Sequence, residues 1–321
     1  MYTLKKFLGS RTLLTVFLTS VFLYLVEPLK LILQISQTNP LMYLLSLCIF
    51  LTVYPLTALR WKIMTSNLVK ISLQESVKTL CISYGLNKIL PLNSGDIVRS
   101  KILENYVEVE KHGEILGLVG LERLIDVSVL ITFLSLPMLF LATQSLGILQ
   151  WLWLPILATT SAFYLIYFQS AIVKLFIEKL PNLKLFLDYK KILLDAVNGF
   201  NSLDKLQYSK VISITFLRWI LDIFSLYILA ISIGHPLNFW TAALLTCAMS
   251  LVSSIPITPS GVGAAELSGT AILVSLGFST SVAGTIVVLQ RSFGVGMMSI
   301  IGILSIKSEG LNIESFKKLD K

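Results

Sequence analysis

Ser254-Ile255-Pro256-Ile257-Thr258-Pro259-Ser260-Gly261-Val262-Gly263 interrupts an apolar stretch over residues 238–276. A second apolar stretch, 71–106, is interrupted in the same way by Ile89-Leu90-Pro91-Leu92-Asn93-Ser94-Gly95-Asp96-Ile97-Val98-Arg99. Proline removes a backbone donor and stops a helix, and glycine permits the turn that follows. Each stretch therefore reads as two half-helices around a break, marked by Pro91 and Gly95 in the first and by Pro256, Pro259, Gly261 and Gly263 in the second. Lipid offers a broken backbone no hydrogen-bond partner, so such breaks must be buried in protein or line a polar cavity. The competing reading is that Pro91 and Pro256 only kink ordinary spanning helices.

The surroundings of the two breaks make lipid the relevant solvent. The 321 residues are 55% hydrophobic and only 14% charged, with a mean hydropathy of +0.81. A soluble domain carries about 25% charged residues. A spanning helix needs about 20 mostly apolar residues, and six further stretches meet or approach that length: 12–26, 41–59, 115–143, 149–168, 211–233 and 281–306. The first is short unless it continues past Pro28 toward Leu31 with a kink. Lys5, Lys6 and Arg11 precede it, but Glu27-Pro28 follows without a small-residue cleavage pattern, so it reads as a retained helix rather than a leader. Residues 170–210 carry seven lysines among apolar residues at roughly helical spacing and read as an amphipathic segment on the cytoplasmic face.

The net charge of +8 sits mainly between apolar runs, as membrane orientation requires, and needs no nucleic acid to explain it. Placing the N-terminus, the 60–70 segment, the amphipathic segment and the tail 307–321 inside gives six crossings with both termini cytoplasmic. The expected fold is an all-α polytopic membrane protein in one domain over 1–321, with six full transmembrane helices and two broken re-entrant hairpins. The alternative is eight kinked transmembrane helices. Cys48, Cys81 and Cys247 are isolated in apolar runs and His112 and His235 lie far apart, so neither metal nor disulfide chemistry is expected. No nucleotide loop, HExxH or Ser/His/Asp set appears, and no cofactor is expected.

After each break comes a crossing with an arginine in its middle, within Leu121-Glu122-Arg123-Leu124-Ile125-Asp126-Val127 and within Leu289-Gln290-Arg291-Ser292-Phe293-Gly294-Val295. Gly95 and Arg123 are 28 residues apart, Gly261 and Arg291 30. The two features recur in one order, giving repeat cores at 71–145 and 238–306. By the topology the first hairpin enters from inside and the second from outside, an inverted repeat whose breaks meet near the midplane. Leu-Arg-Trp strings at Arg60-Trp61 and Arg218-Trp219 fall at different ends of their helices and read as a chance match.

A charge in a membrane helix costs about 2.5–3.5 kcal/mol on insertion scales, so each needs a partner or a purpose. Arg123 has Asp126 at i+3 and Arg218 has Asp222 at i+4, which reads as two structural ion pairs along helices. Arg291 has no acid within four residues. Glu266 or a lipid phosphate is its candidate partner, since a guanidinium binds either bidentately. Asp96 and Arg99, with Asn87 nearby, follow the first break, where a solvated loop is the alternative. These residues form the candidate head-group set: Arg291, Arg123, Arg99, Asn87, Asp96 and Glu266.

At these residues the chain resembles the lysylphosphatidylglycerol synthase transmembrane family, flippase-like integral membrane proteins. The resemblance rests on Tyr84-Gly85 through Pro91, Gly95-Asp96, Arg99, Glu122-Arg123 with Asp126, Pro256 through Pro259, Gly261, Gly263, Glu266 and Arg291, over about residues 10–308. In two-part members of that family the membrane region is thought to move an aminoacylated phospholipid between leaflets, and a separate domain makes it. No such domain is expected in this chain, so the resemblance implies translocation without aminoacyl transfer. The cargo would be an anionic or aminoacylated phospholipid or a polyprenyl-phosphate-linked lipid. The alternative is a non-transporting accessory subunit of a separately encoded lipid-modifying or glycosyltransferase enzyme. A third class, chemistry on lipid within the membrane, has only Asp96 and Glu266 as suggestive carboxylates.

Overall fold

The structure, a computed structural model, describes residues 2–89, 94–104, 112–141, 194–195, 197–254 and 258–308. Every regular element among them is helical. In chain order come α1 (Tyr2–Val26), α2 (Pro28–Ser36), α3 (Pro40–Thr65), α4 (Leu73–Ile89), α5 (Ser94–Glu104) and α6 (His112–Leu141). They are followed by α7 (Lys205–Ser232), α8 (Phe239–Ser254), a 3-10 turn (Pro259–Gly261), α9 (Ala264–Ser275), α10 (Thr280–Arg291), a π-helical turn (Ser292–Met297) and α11 (Met298–Ser308).

Among the described residues, Pro40–Thr65, Lys205–Ser232 and Thr280–Lys307 are each long and apolar enough to cross a membrane. Helices of 26 to 28 residues extend about 40 Å at 1.5 Å per residue, more than the hydrocarbon core of about 30 Å. Thr12–Val26 and Pro28–Ser36 make a fourth span if counted together, although they are bent by 67°. The expected kink is therefore a corner. Pro28 disfavours helical backbone in the residue before it, and Glu27 leaves the helix at φ 54. The expected crossing at 149–168 and most of the amphipathic segment at 170–210 lie outside the described residues, as do Pro91 and Pro256.

Each interrupted stretch is two helices, α4 and α5 in the first and α8 and α9 in the second. Proline alone does not explain this, because Pro55 lies inside α3 without ending it. At the polar start of α4, the Ser72 backbone N–H donates to the Glu75 carboxylate at 2.6 Å and Ser72 Oγ accepts from the Glu75 N–H at 3.2 Å. This capping box satisfies two orphan groups of the first turn. The hydrogen bond from the Ser72 backbone holds the Glu75 carboxyl below the usual carboxylate range.

The chain divides into two compact units, one of Met1–Val53, Cys81–Gly95 and Ile220–Lys321, the other of Tyr54–Leu80 and Asp96–Trp219. In the first, α9 packs between α8 and α10, and α1 lies against α9 and α10. Phe293, 2% exposed, is enclosed by the rings of Tyr43 and Phe50 at 5.2 and 5.4 Å. Ser46 and Ser225 donate to each other's carbonyls at 2.7 and 3.0 Å. Helices α4 and α11 cross backbone to backbone, for a Cβ on Gly85 would lie 2.5 Å from the Gly302 Cα. Small residues permit that approach where no water drives helices together. In the second unit Leu103, Ile115, Leu118, Leu121 and Ile125 are fully enclosed, and Ser76 Oγ donates to the Ala58 carbonyl at 2.6 Å.

Candidate functional site

Arg291 is the last residue of α10, in the first unit. Its Nε donates to Glu266 Oε1 at 2.8 Å, its Nη2 to the Ser260 carbonyl at 2.7 Å and its Nη1 to Ser253 Oγ at 3.3 Å. Glu266 stands in the first turn of α9, and its second oxygen accepts from the Gly263 N–H at 2.7 Å. One carboxylate thus caps a helix and holds an arginine. The turn leading to it is left-handed at Ser260 (φ 54), Gly261 (φ 69) and Gly263 (φ 84). Glycine is the residue that adopts such backbone without penalty, and a Cβ at Gly263 would also meet Leu18 of α1 at 2.7 Å.

A largely apolar pocket of about 190 Å³ lies beside this pair and counts Glu266, Arg291, Gly263 and Thr19 in its lining. Phe22 and Leu23 of α1, with Val262 and Val288, form its apolar wall. Arg291 is 17% exposed and Glu266 13%, so both charges are largely shielded from water.

The second unit holds a longer chain of charges. Arg60 of α3 donates to Asp126 Oδ1 at 2.7 Å, to Asp126 Oδ2 at 3.1 Å, to Glu122 Oε1 at 2.6 Å and to Thr215 Oγ1 at 2.9 Å. Arg99 of α5 takes the other Glu122 oxygen at 2.6 Å and stacks over the Trp61 ring at 4.0 Å. Asp96 accepts from Arg123 Nε at 3.1 Å and also from Arg123 Nη2, and lies 3.9 Å from Arg99. Arg218, stacked on Trp219 at 4.1 Å, donates to Asp126 at 3.1 Å. Arg60 and Arg99 are each 1% exposed and Glu122 is 4%. Charges this deep are tolerated because each guanidinium of the network meets a carboxylate.

Several expected residues meet partners that their spacing along the chain does not suggest. Arg123 pairs with Asp96 of α5 and Arg218 with Asp126 of α6, both across helices. Arg291 does find Glu266. Asn87 is half-buried at the end of α4, its side-chain oxygen 2.7 Å from where a Cβ on Gly95 would sit. The Ser260 hydroxyl reaches the Asn87 carbonyl at 3.5 Å, so the second turn touches the end of α4. Arg99 is enclosed between Trp61 and Glu122.

Arg60 and Glu122 are the residues that sequence reasoning left out of the site. Arg60 read as a charge at a cytoplasmic helix end. Both Leu-Arg-Trp strings, which read as a chance match in sequence, send their arginines to the same carboxylate, Asp126. The available signal was the need of each arginine in an apolar run for an acid, and Glu122 was the acid left over.

The sequence profile of the lysylphosphatidylglycerol synthase TM region matches residues 11–302. The UPF0104 membrane protein PH1989 of Pyrococcus horikoshii is 23% identical over 312 residues, covering 89% of this chain and 92% of that protein. A UPF0104 membrane protein of Methanothermobacter thermautotrophicus is 30% identical over 110 residues, covering 34% of this chain and 32% of that protein. No solved structure matches the chain. The profile match takes in both interrupted stretches, the Arg60–Glu122–Arg99 network and the Arg291–Glu266 pocket, and the chain belongs to the lysylphosphatidylglycerol synthase transmembrane family of membrane proteins.

Proposed function

We propose that the protein is a lipid translocase whose head-group site is the pocket at Arg291 and Glu266. The observation that carries this is a largely shielded arginine–carboxylate pair in the lining of a pocket otherwise walled by apolar residues, Phe22, Leu23, Val262 and Val288 among them. An amphiphile has the matching form. Its phosphate is a bidentate partner for a guanidinium, and its chains belong against the apolar wall. Glu266 already shows that the Arg291 fork accepts an anion in this place.

The cargo is an anionic or aminoacylated phospholipid, or a lipid linked through polyprenyl phosphate. Six crossings, two hairpins entering from opposite faces and cytoplasmic termini are the frame in which rocking of the repeats exposes the site to either leaflet. The test is transport by the full chain reconstituted in vesicles with a labelled phosphatidylglycerol in one leaflet. Arg291→Ala is expected to reduce translocation at least tenfold, the loss of one charge-assisted bond of about 1.5–3 kcal/mol. Transport unchanged in a folded Arg291→Ala protein rules out this site. A wild-type chain that moves no lipid and always co-purifies with an enzyme points to an accessory subunit instead.

A further inference from the structure

The two halves of the chain build the same ion pair. Glu266, third residue of α9, holds Arg291, and Asp96, third residue of α5, holds Arg123. Each acid stands in the first turn of the helix that follows an interruption, and each arginine stands 25 or 27 residues farther along the chain. The arrangement differs in exposure. The Arg123 side chain is 46% exposed while Asp96 is 8%, so the arginine faces outward over a carboxylate that is covered.

We propose that Arg123 is a second head-group phosphate site, and that Asp96 is the carboxylate an incoming phosphate displaces. Parting a buried ion pair is costly chiefly when it leaves a charge uncompensated in a low-dielectric setting, so the released anion needs a second cation. Asp96 meets that condition, because Arg99 lies 3.9 Å from it. Arg99 is itself anchored by Glu122 and by the Trp61 ring, so it stays in place when Arg123 turns away. Among the other acids of the network, Glu122 bonds to Arg60 and Arg99 and Asp126 to Arg60 and Arg218. Arg123 is the outermost cation of that ladder.

The ligand class is an amphiphile with a phosphodiester head group, and the proposal rests on the head-group reading of Arg291 for that class alone. Native mass spectrometry of the full chain from detergent containing phosphatidylglycerol counts the lipids retained. The wild type is expected to keep two, Arg123→Gln and Arg291→Gln one each, and the double variant none. Two lipids retained by Arg123→Gln overturn the second site and leave Arg291 untouched. Two lipids retained by Arg291→Gln, with one lost in Arg123→Gln, overturn the pocket at Arg291 and leave the second site standing.

Asp96→Asn supplies a readout that does not depend on Arg123→Gln folding. Removing the competing carboxylate is expected to lower the phosphatidylglycerol concentration for half-occupancy about tenfold, and an unchanged or higher concentration overturns the exchange. In a parallel arm, excess inorganic phosphate is expected to leave the Arg123-dependent lipid in place. Its displacement overturns a lipid source for that phosphate.

Discussion

At the residue scale, Arg60 shows how a charge placed by sequence at a water-facing helix end is buried by folding. Taking a guanidinium out of water costs several kcal/mol, and the cost is offset only by well-placed anions. Arg60 has two, Glu122 and Asp126, both held by its fork. Their separations of 62 and 66 residues put them beyond any local spacing rule. Arg60→Ala leaves two buried carboxylates short of a partner and is expected to lower stability by about 3–5 kcal/mol. Arg60→Lys keeps the charge but not the planar fork that spans both acids, and its stability should fall between those of wild type and Arg60→Ala. Thermal unfolding of the full chain in detergent measures both, and equal midpoints for wild type and Arg60→Ala would deny the network its structural part.

The same scale separates what was readable about the candidate site from what was not. Arg291 stood out because its own helix offers no acid, and Glu266 beyond the second break was its nearest candidate. Arg123 and Arg218 each have an acid one turn away, and that local spacing carries no sign of the cross-helix pairs. Spacing along a helix states which pairs can form; packing decides which one does.

At the scale of elements, the interrupted stretches depend on glycine as well as proline. Pro55 rides inside α3, whereas the second interruption combines Pro259 with Ser260, Gly261 and Gly263 in left-handed backbone. Elsewhere glycine serves close approach. A Cβ on Gly85 would lie 2.5 Å from the Gly302 Cα, and backbone cannot step aside as a flexible side chain can. Gly85→Ala is expected to destabilise by about 1–3 kcal/mol through overpacking. At Gly120, inside α6, an added Cβ meets nothing within 4 Å. Gly120→Ala should be neutral or stabilising by about 0.5–1 kcal/mol, because alanine restricts the unfolded chain. Melting points that move in the same direction for both variants would show that the α4–α11 crossing does not set the cost.

For the whole molecule, the proposal that the two hairpins are inverted makes a prediction about sidedness. With Cys48, Cys81 and Cys247 replaced, single cysteines at Ser94 and Ser260 should react with an impermeant thiol reagent from opposite faces of the membrane. Reaction of both from one face only would end the inverted reading. The helices long and apolar enough to span, Pro40–Thr65, Lys205–Ser232 and Thr280–Lys307, agree with the stretches read from hydropathy. Hydropathy succeeds there because a lipid-facing helix must be apolar over its full length, whatever its neighbours.

The sequence by itself determined that this is a helical membrane protein, where its interruptions fall, and which family it belongs to. Each of these follows from composition, chain-local backbone chemistry or residue order. Only the tertiary structure decided that Asp96 and Glu266 hold the arginines of the helices that follow, that Arg60 belongs to the buried network, and that both Leu-Arg-Trp strings end on Asp126. An ion pair in a low-dielectric interior is chosen by which charges packing leaves with no other partner, and that choice is made across helices, at sequence separations where periodicity carries no information.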